Sequence, residues 1–146
     1  MKKIFSYSLL TLSLASCAFM SPTPSKITQN LDRVNPGTNV ALVALIPMEI
    51  PNPTQPKILN STAFRVTQDV RGYPNTAILI PQNSIITGVY SNDGKICQVS
   101  WQAVYHDYQA LEKDQGALGV ATMVNNTSCD PKLGIRAGQI MTMTFK

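Results

Sequence analysis

After Gly37 the chain is written in short apolar or alternating runs, each closed by turn residues, a texture that admits strands and leaves no room for a long helix. The runs are Thr38 to Ile46, Ile58 to Val70, Ala77 to Pro81, Ile85 to Ser91, Ile96 to Tyr105, Leu118 to Val124 and Gln139 to Phe145. Ser91-Asn92-Asp93-Gly94-Lys95 separates two of them and reads as a hairpin turn, because Asn, Asp and Gly tolerate the positive φ of tight connections. The strands on either side are therefore expected to pair antiparallel. In the second of the two, period-two alternation sends Cys97, Val99, Trp101, Ala103 and Tyr105 inward and Gln98, Ser100 and Gln102 toward water. Met141, Met143 and Phe145 share one face of the last run and read as a core stripe.

The connections carry their own signals. Pro47, Pro51, Pro53 and Pro56 remove backbone donors and forbid a central strand, so that segment is expected to be a stiff, exposed loop. His106 to Gly116 is the one markedly charged stretch, with Asp107, Glu112, Lys113 and Asp114, and has room for a single helical turn. The fold class expected is all-β: a small antiparallel β-barrel or curved β-sandwich.

The N-terminus has a different grammar. Lys2 and Lys3 precede an apolar run from Ile4 to Leu14, and small residues follow, the layout of an export signal. The run is too short to span a bilayer, which takes about 20 residues. Leu14-Ala15-Ser16-Cys17 resembles the bacterial lipobox, which implies cleavage after residue 16 and acylation of Cys17. Ala18 stands where an aspartate would favour retention at the inner membrane, so the resemblance points to the outer membrane. The expected organisation is a signal peptide over 1–16, a lipidated tether over 17–36 with Pro22, Pro24 and Pro36, and a β-domain over 37–146.

Charge and cysteine use agree with export. The whole chain carries a formal +4; loss of Lys2 and Lys3 alone reduces this to about +2, and no Lys/Arg run remains to form a nucleic-acid footprint. With Cys17 acylated, Cys97 and Cys129 are left for an oxidising compartment to pair. Two separate buried thiols are the alternative. A metal pair is disfavoured because His106 is the sole histidine and a zinc site wants about four ligands.

Pro36 to Tyr105 is similar to the periplasmic β-domain of the TrbI-like conjugation family, the scaffold of type IV secretion core complexes. The similarity rests on Pro36-Gly37-Thr38, on Asn60 to Val70, and above all on Ile78-Leu79-Ile80-Pro81-Gln82-Asn83-Ser84-Ile85-Ile86-Thr87-Gly88-Val89-Tyr90. A turn and a strand bearing Trp101 follow, and Gly134 to Gln139 resembles the family's last turn. In this signature Pro81 ends one strand, Ser84 restarts the next, and Gly88 marks a bulge or a close backbone approach. The chain departs from the family in having no inner-membrane helix and, over His106 to Gly119, no apolar hairpin able to cross a membrane. The resemblance implies a β-domain tied to the membrane by lipid, an accessory subunit in an envelope ring with other core-complex proteins as partners.

Enzyme chemistry is not expected. His106 and Asp107 are adjacent on the chain, so on a strand they point to opposite faces. Glu112 and Asp114 flank Lys113 in a polar loop, Ser84 has no nucleophile-elbow context, and Gly116 and Gly119 lack phosphate-loop spacing. No cofactor motif, metal set, nucleic-acid patch or small-molecule substrate site is read. The leading expectation is a structural outer-membrane lipoprotein of a type IV secretion or conjugation core complex, its β-domain periplasmic and ring-forming. The alternative is a free-standing envelope binding lipoprotein, one that excludes a second conjugation partner or inhibits an enzyme through the Pro47 to Pro56 loop.

Overall fold

The computed structural model describes residues 31–74, 76–118 and 120–146. The expected signal peptide, Cys17 and the expected tether as far as residue 30 lie outside the described residues. The described chain is nearly all β, with short helical turns only. Its strands are β1 (Asn39–Ala44), β2 (Ile58–Val66), β3 (Val70–Arg71), β4 (Ile78–Ile80), β5 (Ile85–Asn92), β6 (Cys97–Tyr105), β7 (Ala117–Leu118), β8 (Thr127–Cys129) and β9 (Ile140–Thr144). The helical turns are α1 (Tyr108–Glu112) and α2 (Val120–Met123), and a 3-10 turn spans Leu31–Arg33.

The main sheet runs in the order β7-β6-β5-β2-β1-β9, with β8 also paired to β6 and all pairs antiparallel. Its two edges nearly meet. Val124 bridges to Phe145, the Asn125 N–H donates to the Thr144 carbonyl at 2.9 Å, and the Thr127 hydroxyl donates to the Thr142 carbonyl at 2.8 Å. The result is a nearly closed barrel of six strands, β1, β2, β5, β6, β8 and β9, and near-closure removes the exposed ladder edge that a flat sheet would present.

The barrel core is aliphatic and aromatic. Val40, Leu42, Phe64, Val66, Ile86, Tyr90, Val99, Trp101, Val104, Met141, Met143 and Phe145 all sit in one buried cluster. The expected methionine and phenylalanine stripe of the last strand therefore faces the core. The rings of Phe64 and Trp101 meet edge to face, with centroids 5.0 Å apart. Leu31 and Val34 belong to the same cluster, at 2% and 4% exposure, so packing begins before Gly37, within the stretch read from sequence as tether.

Strand β6 corrects one expectation. Gly88 pairs with Trp101 whereas Thr87 pairs with Ala103, so Gln102 is an extra residue, a bulge. The alternation inverts across it. Cys97, Val99, Trp101 and then Val104 point into the barrel, while Ala103 and Tyr105 point outward into a second small cluster with Ala63, Ile85 and Ala110. That cluster is roofed by α1, the single helical turn expected in the charged stretch, whose first residues are capped by Asp107 accepting from the Ala110 N–H at 2.8 Å. Gly88 is needed where it stands, because an added Cβ would lie 2.8 Å from the Ser100 carbonyl oxygen.

Two other runs also differ. Leu118 to Val124 is not one strand: Leu118 closes β7 and Val120–Met123 is helical, because the chain must turn to set Val124 against Phe145. Ile58 to Val70 divides into β2 and β3, and β3 forms a separate hairpin with β4. Strand β8, which lies outside all the expected runs, pairs Cys97 with Cys129, and the two sulfurs form a disulfide.

Candidate interaction surface

Strand β1 runs from one end of the barrel to the other, about 20 Å for its six residues. The described chain begins with Leu31 at the first end. At the far end the proline-rich segment after β1 and the turn between β8 and β9 stand side by side. They are joined by a two-residue antiparallel bridge: the Met48 N–H donates to the Ile135 carbonyl at 2.7 Å and the Ile135 N–H donates back at 3.1 Å. Gly134 permits this approach, since a Cβ there would collide with the Met48 carbonyl oxygen, and its φ of +63° suits glycine.

Between the two segments lies an open groove of about 640 Å³, walled by residues 47–52 on one side and by Lys132, Leu133 and Ile135–Ala137 on the other. Beneath it is a buried polar latch. The Tyr90 hydroxyl donates to the Glu49 carbonyl at 2.9 Å, and the Asn92 amide donates to the Tyr90 oxygen at 2.8 Å and to the Pro131 carbonyl at 3.0 Å. The Asn92 side-chain oxygen accepts from the Gly94 N–H at 2.9 Å. Both residues are fully buried with every polar side-chain atom used, so the latch fixes both groove walls to the end of β5. Tyr90→Phe is expected to cost about 1–3 kcal/mol in urea unfolding, because it leaves the Glu49 carbonyl and one Asn92 proton unpaired.

Ile50 and Leu133 line the groove, with Ile46 and Ile140 outside its walls. Ile46, Ile50, Leu133 and Ile140 are exposed at 45%, 46%, 62% and 67%. Ile140 stands opposite Val43 in the β1–β9 ladder, on the outer face of the sheet. Lys132 and Arg136 add positive charge, and among the described residues neither is in an ion pair. The neighbouring turn is rigid too. Backbone N–H groups of Ile96 and Lys95 donate to Asp93 and hold its carboxyl below the usual range.

Residues singled out from sequence fall into different places. Tyr90 alone of the signature residues reaches the groove. Pro81 and Ser84 form the turn between β4 and β5, where the Ser84 N–H donates to the Pro81 carbonyl at 3.2 Å; Gly88 sits at the bulge and Trp101 in the core. Cys97 and Cys129 brace the strand that leads into the groove wall. The groove itself was missed, because its walls lie some 80 residues apart in sequence. The one local signal was Tyr90 and Asn92, two polar tips at inward positions of an alternating strand.

The candidate catalytic residues do not converge. Asp107 caps α1, His106 leaves Nδ1 buried without a partner, and Asp114 accepts from the Tyr105 hydroxyl at 3.0 Å. Burial, and then that carboxylate, push the Tyr105 hydroxyl above its ordinary pKa. Among the described residues no group of three or more His, Cys, Asp or Glu stands ready for a metal, and no helix is long and apolar enough to cross a membrane.

No family model and no curated protein matches the chain. Among solved structures, it is similar to ComB10 of the Com type IV secretion system of Helicobacter pylori, at 19% sequence identity and a TM-score of 0.40. The similarity covers 49% of this chain and 36% of that one, so the chain matches about a third of the ComB10 chain's length.

Proposed function

We propose that this protein is a non-enzymatic structural lipoprotein of a type IV secretion or conjugation core complex. Cys17 is acylated and holds it on the outer membrane, the β-barrel stands in the periplasm, and the groove end packs against neighbouring subunits in an envelope-spanning ring. The observation that carries the packing role is the groove: exposed Ile50 and Leu133 line a surface that buried hydrogen bonds already hold in shape. Aliphatic anchors on a pre-organised surface bind without first ordering it, which is the usual cost of association. The lipobox and the Ile78 to Tyr90 signature supply the envelope and the secretion-complex parts of the reading.

The test is purification from native membranes in mild detergent after labelling with palmitate. The protein is expected to carry label and to co-purify with secretion-complex subunits. Ile50→Asp with Leu133→Asp is expected to strip those subunits while the unfolding midpoint stays unchanged, since both side chains are exposed. An unlabelled protein, a wild type that brings down no secretion component, or a double variant that still retains its partners would refute the proposal.

A further inference from the structure

The end of the barrel opposite the groove carries a second exposed apolar feature, and its position relative to the chain gives it a partner. The β3–β4 hairpin is buried at its base, where Val70 pairs with Ile80, and exposes Tyr73 in its turn and Ile78 on β4, at 68% and 46%. It stands directly on the 3-10 turn where the described chain begins. The Tyr73 N–H donates to the Arg33 carbonyl at 2.8 Å, and the Arg33 Nε donates to the Tyr73 carbonyl at 3.4 Å. Only 13 residues separate Cys17 from Leu31. Fully extended, that length of chain reaches at most about 50 Å, and every shorter arrangement brings the hairpin closer to the point of acylation.

We infer that the β3–β4 hairpin is a second membrane contact, in which Tyr73 and Ile78 enter the headgroup region of the bilayer that holds Cys17. This rests on the lipidation proposed above. Tyrosine suits that depth because its ring is apolar and its hydroxyl stays wet. Ile78, exposed on β4, adds aliphatic surface to the same hairpin. Arg71 lies at the hairpin base, paired with Asp69 at 3.5 Å, so the contact is led by apolar surface rather than net charge. A weak contact of this kind suffices, because the acyl chains already confine the hairpin near the surface and make its insertion intramolecular. Its consequence is orientation: with the hairpin against lipid, the groove faces away from the membrane.

The experiment uses the acylated full-length protein on phosphatidylethanolamine and phosphatidylglycerol vesicles with brominated acyl chains. Tyr73→Trp and Ile50→Trp each add one reporter at an exposed site, while Trp101, 2% exposed, contributes a constant background. The emission added by Tyr73→Trp is expected to shift to the blue and to lose most of its intensity to bromine, and that added by Ile50→Trp to be unaffected. Vesicle-bound protein with no quenching at position 73, or with equal quenching at both positions, overturns the inference while leaving the lipid anchor standing. A blue shift at position 73 only when secretion proteins are added, without bromine quenching, assigns the hairpin to a protein partner and also overturns it. If the wild type does not float with the vesicles, the anchor itself fails and this inference fails with it.

Discussion

Trp101→Ala is expected to be the most damaging single substitution, lowering the free energy of unfolding by about 3–5 kcal/mol. The indole is 2% exposed and fills the barrel between the strands that close it. Three contributions are lost together. Removing the indole leaves a cavity in the barrel core. The edge-to-face contact with Phe64 disappears. The Trp101 Nε1 also donates to the Thr127 hydroxyl at 3.2 Å, which in turn donates to the Thr142 carbonyl, so the side chain bears on the seam between β8 and β9. Guanidinium unfolding followed by far-ultraviolet circular dichroism measures the loss without relying on the indole as reporter. Trp101→Phe, which keeps most of the volume and the ring contact but not the hydrogen bond, should recover a large part of it. Equal losses for Phe and Ala would show that the hydrogen bond rather than packing dominates.

Cys97→Ala with Cys129→Ala should cost nearly as much, about 3–4 kcal/mol by the chain-entropy account for a closed loop of this size, with a sequence separation of 32. The paired cysteines occupy directly opposed positions of β6 and β8. Strand β8 is three residues long and has little to hold it apart from that pairing and the Thr127 hydroxyl. Its loss would loosen the groove wall that follows, so the Ala double variant should also hold the partners proposed for the groove less well. The control is the reductant. Dithiothreitol should lower the midpoint of the wild type to that of the double variant and leave the variant where it is. A wild type indifferent to reduction would show that the crosslink is not what holds β8.

Much of this fold was legible in the residues because its signals are local. Alternation located the ends of β1, β5, β6 and β9 to within about two residues, which is the usual uncertainty of such boundaries. The Asn92-Asp93-Gly94 chemistry placed the hairpin between β5 and β6, where Asn92 and Asp93 accept the backbone protons of the turn. The charged stretch after Tyr105 holds α1, capped by Asp107. What these share is that a side chain and its effect lie within a few positions of each other.

What the residues alone left open depends on partners distant along the chain. Nothing around Gln102 announces a bulge; it is the pairing with β5 at Gly88, where no Cβ stands against Ser100, that turns Ala103 and Tyr105 outward while Val104 goes in. Val120-Ala121-Thr122-Met123 has strand-like composition and turns helical because the barrel needs Val124 opposite Phe145, a case of tertiary context overriding weak propensity. The groove exists because Tyr90 and Asn92 bind the backbone of Glu49 and Pro131, which only the closed barrel brings together. The sequence by itself determined β1, β5, β6 and β9, the Asn92–Gly94 turn and the two cysteines, Cys97 and Cys129, that an oxidising compartment could pair. Only the tertiary structure decided where the faces of β6 change over and which exposed residues line the groove, because register and closure are properties of pairs of strands.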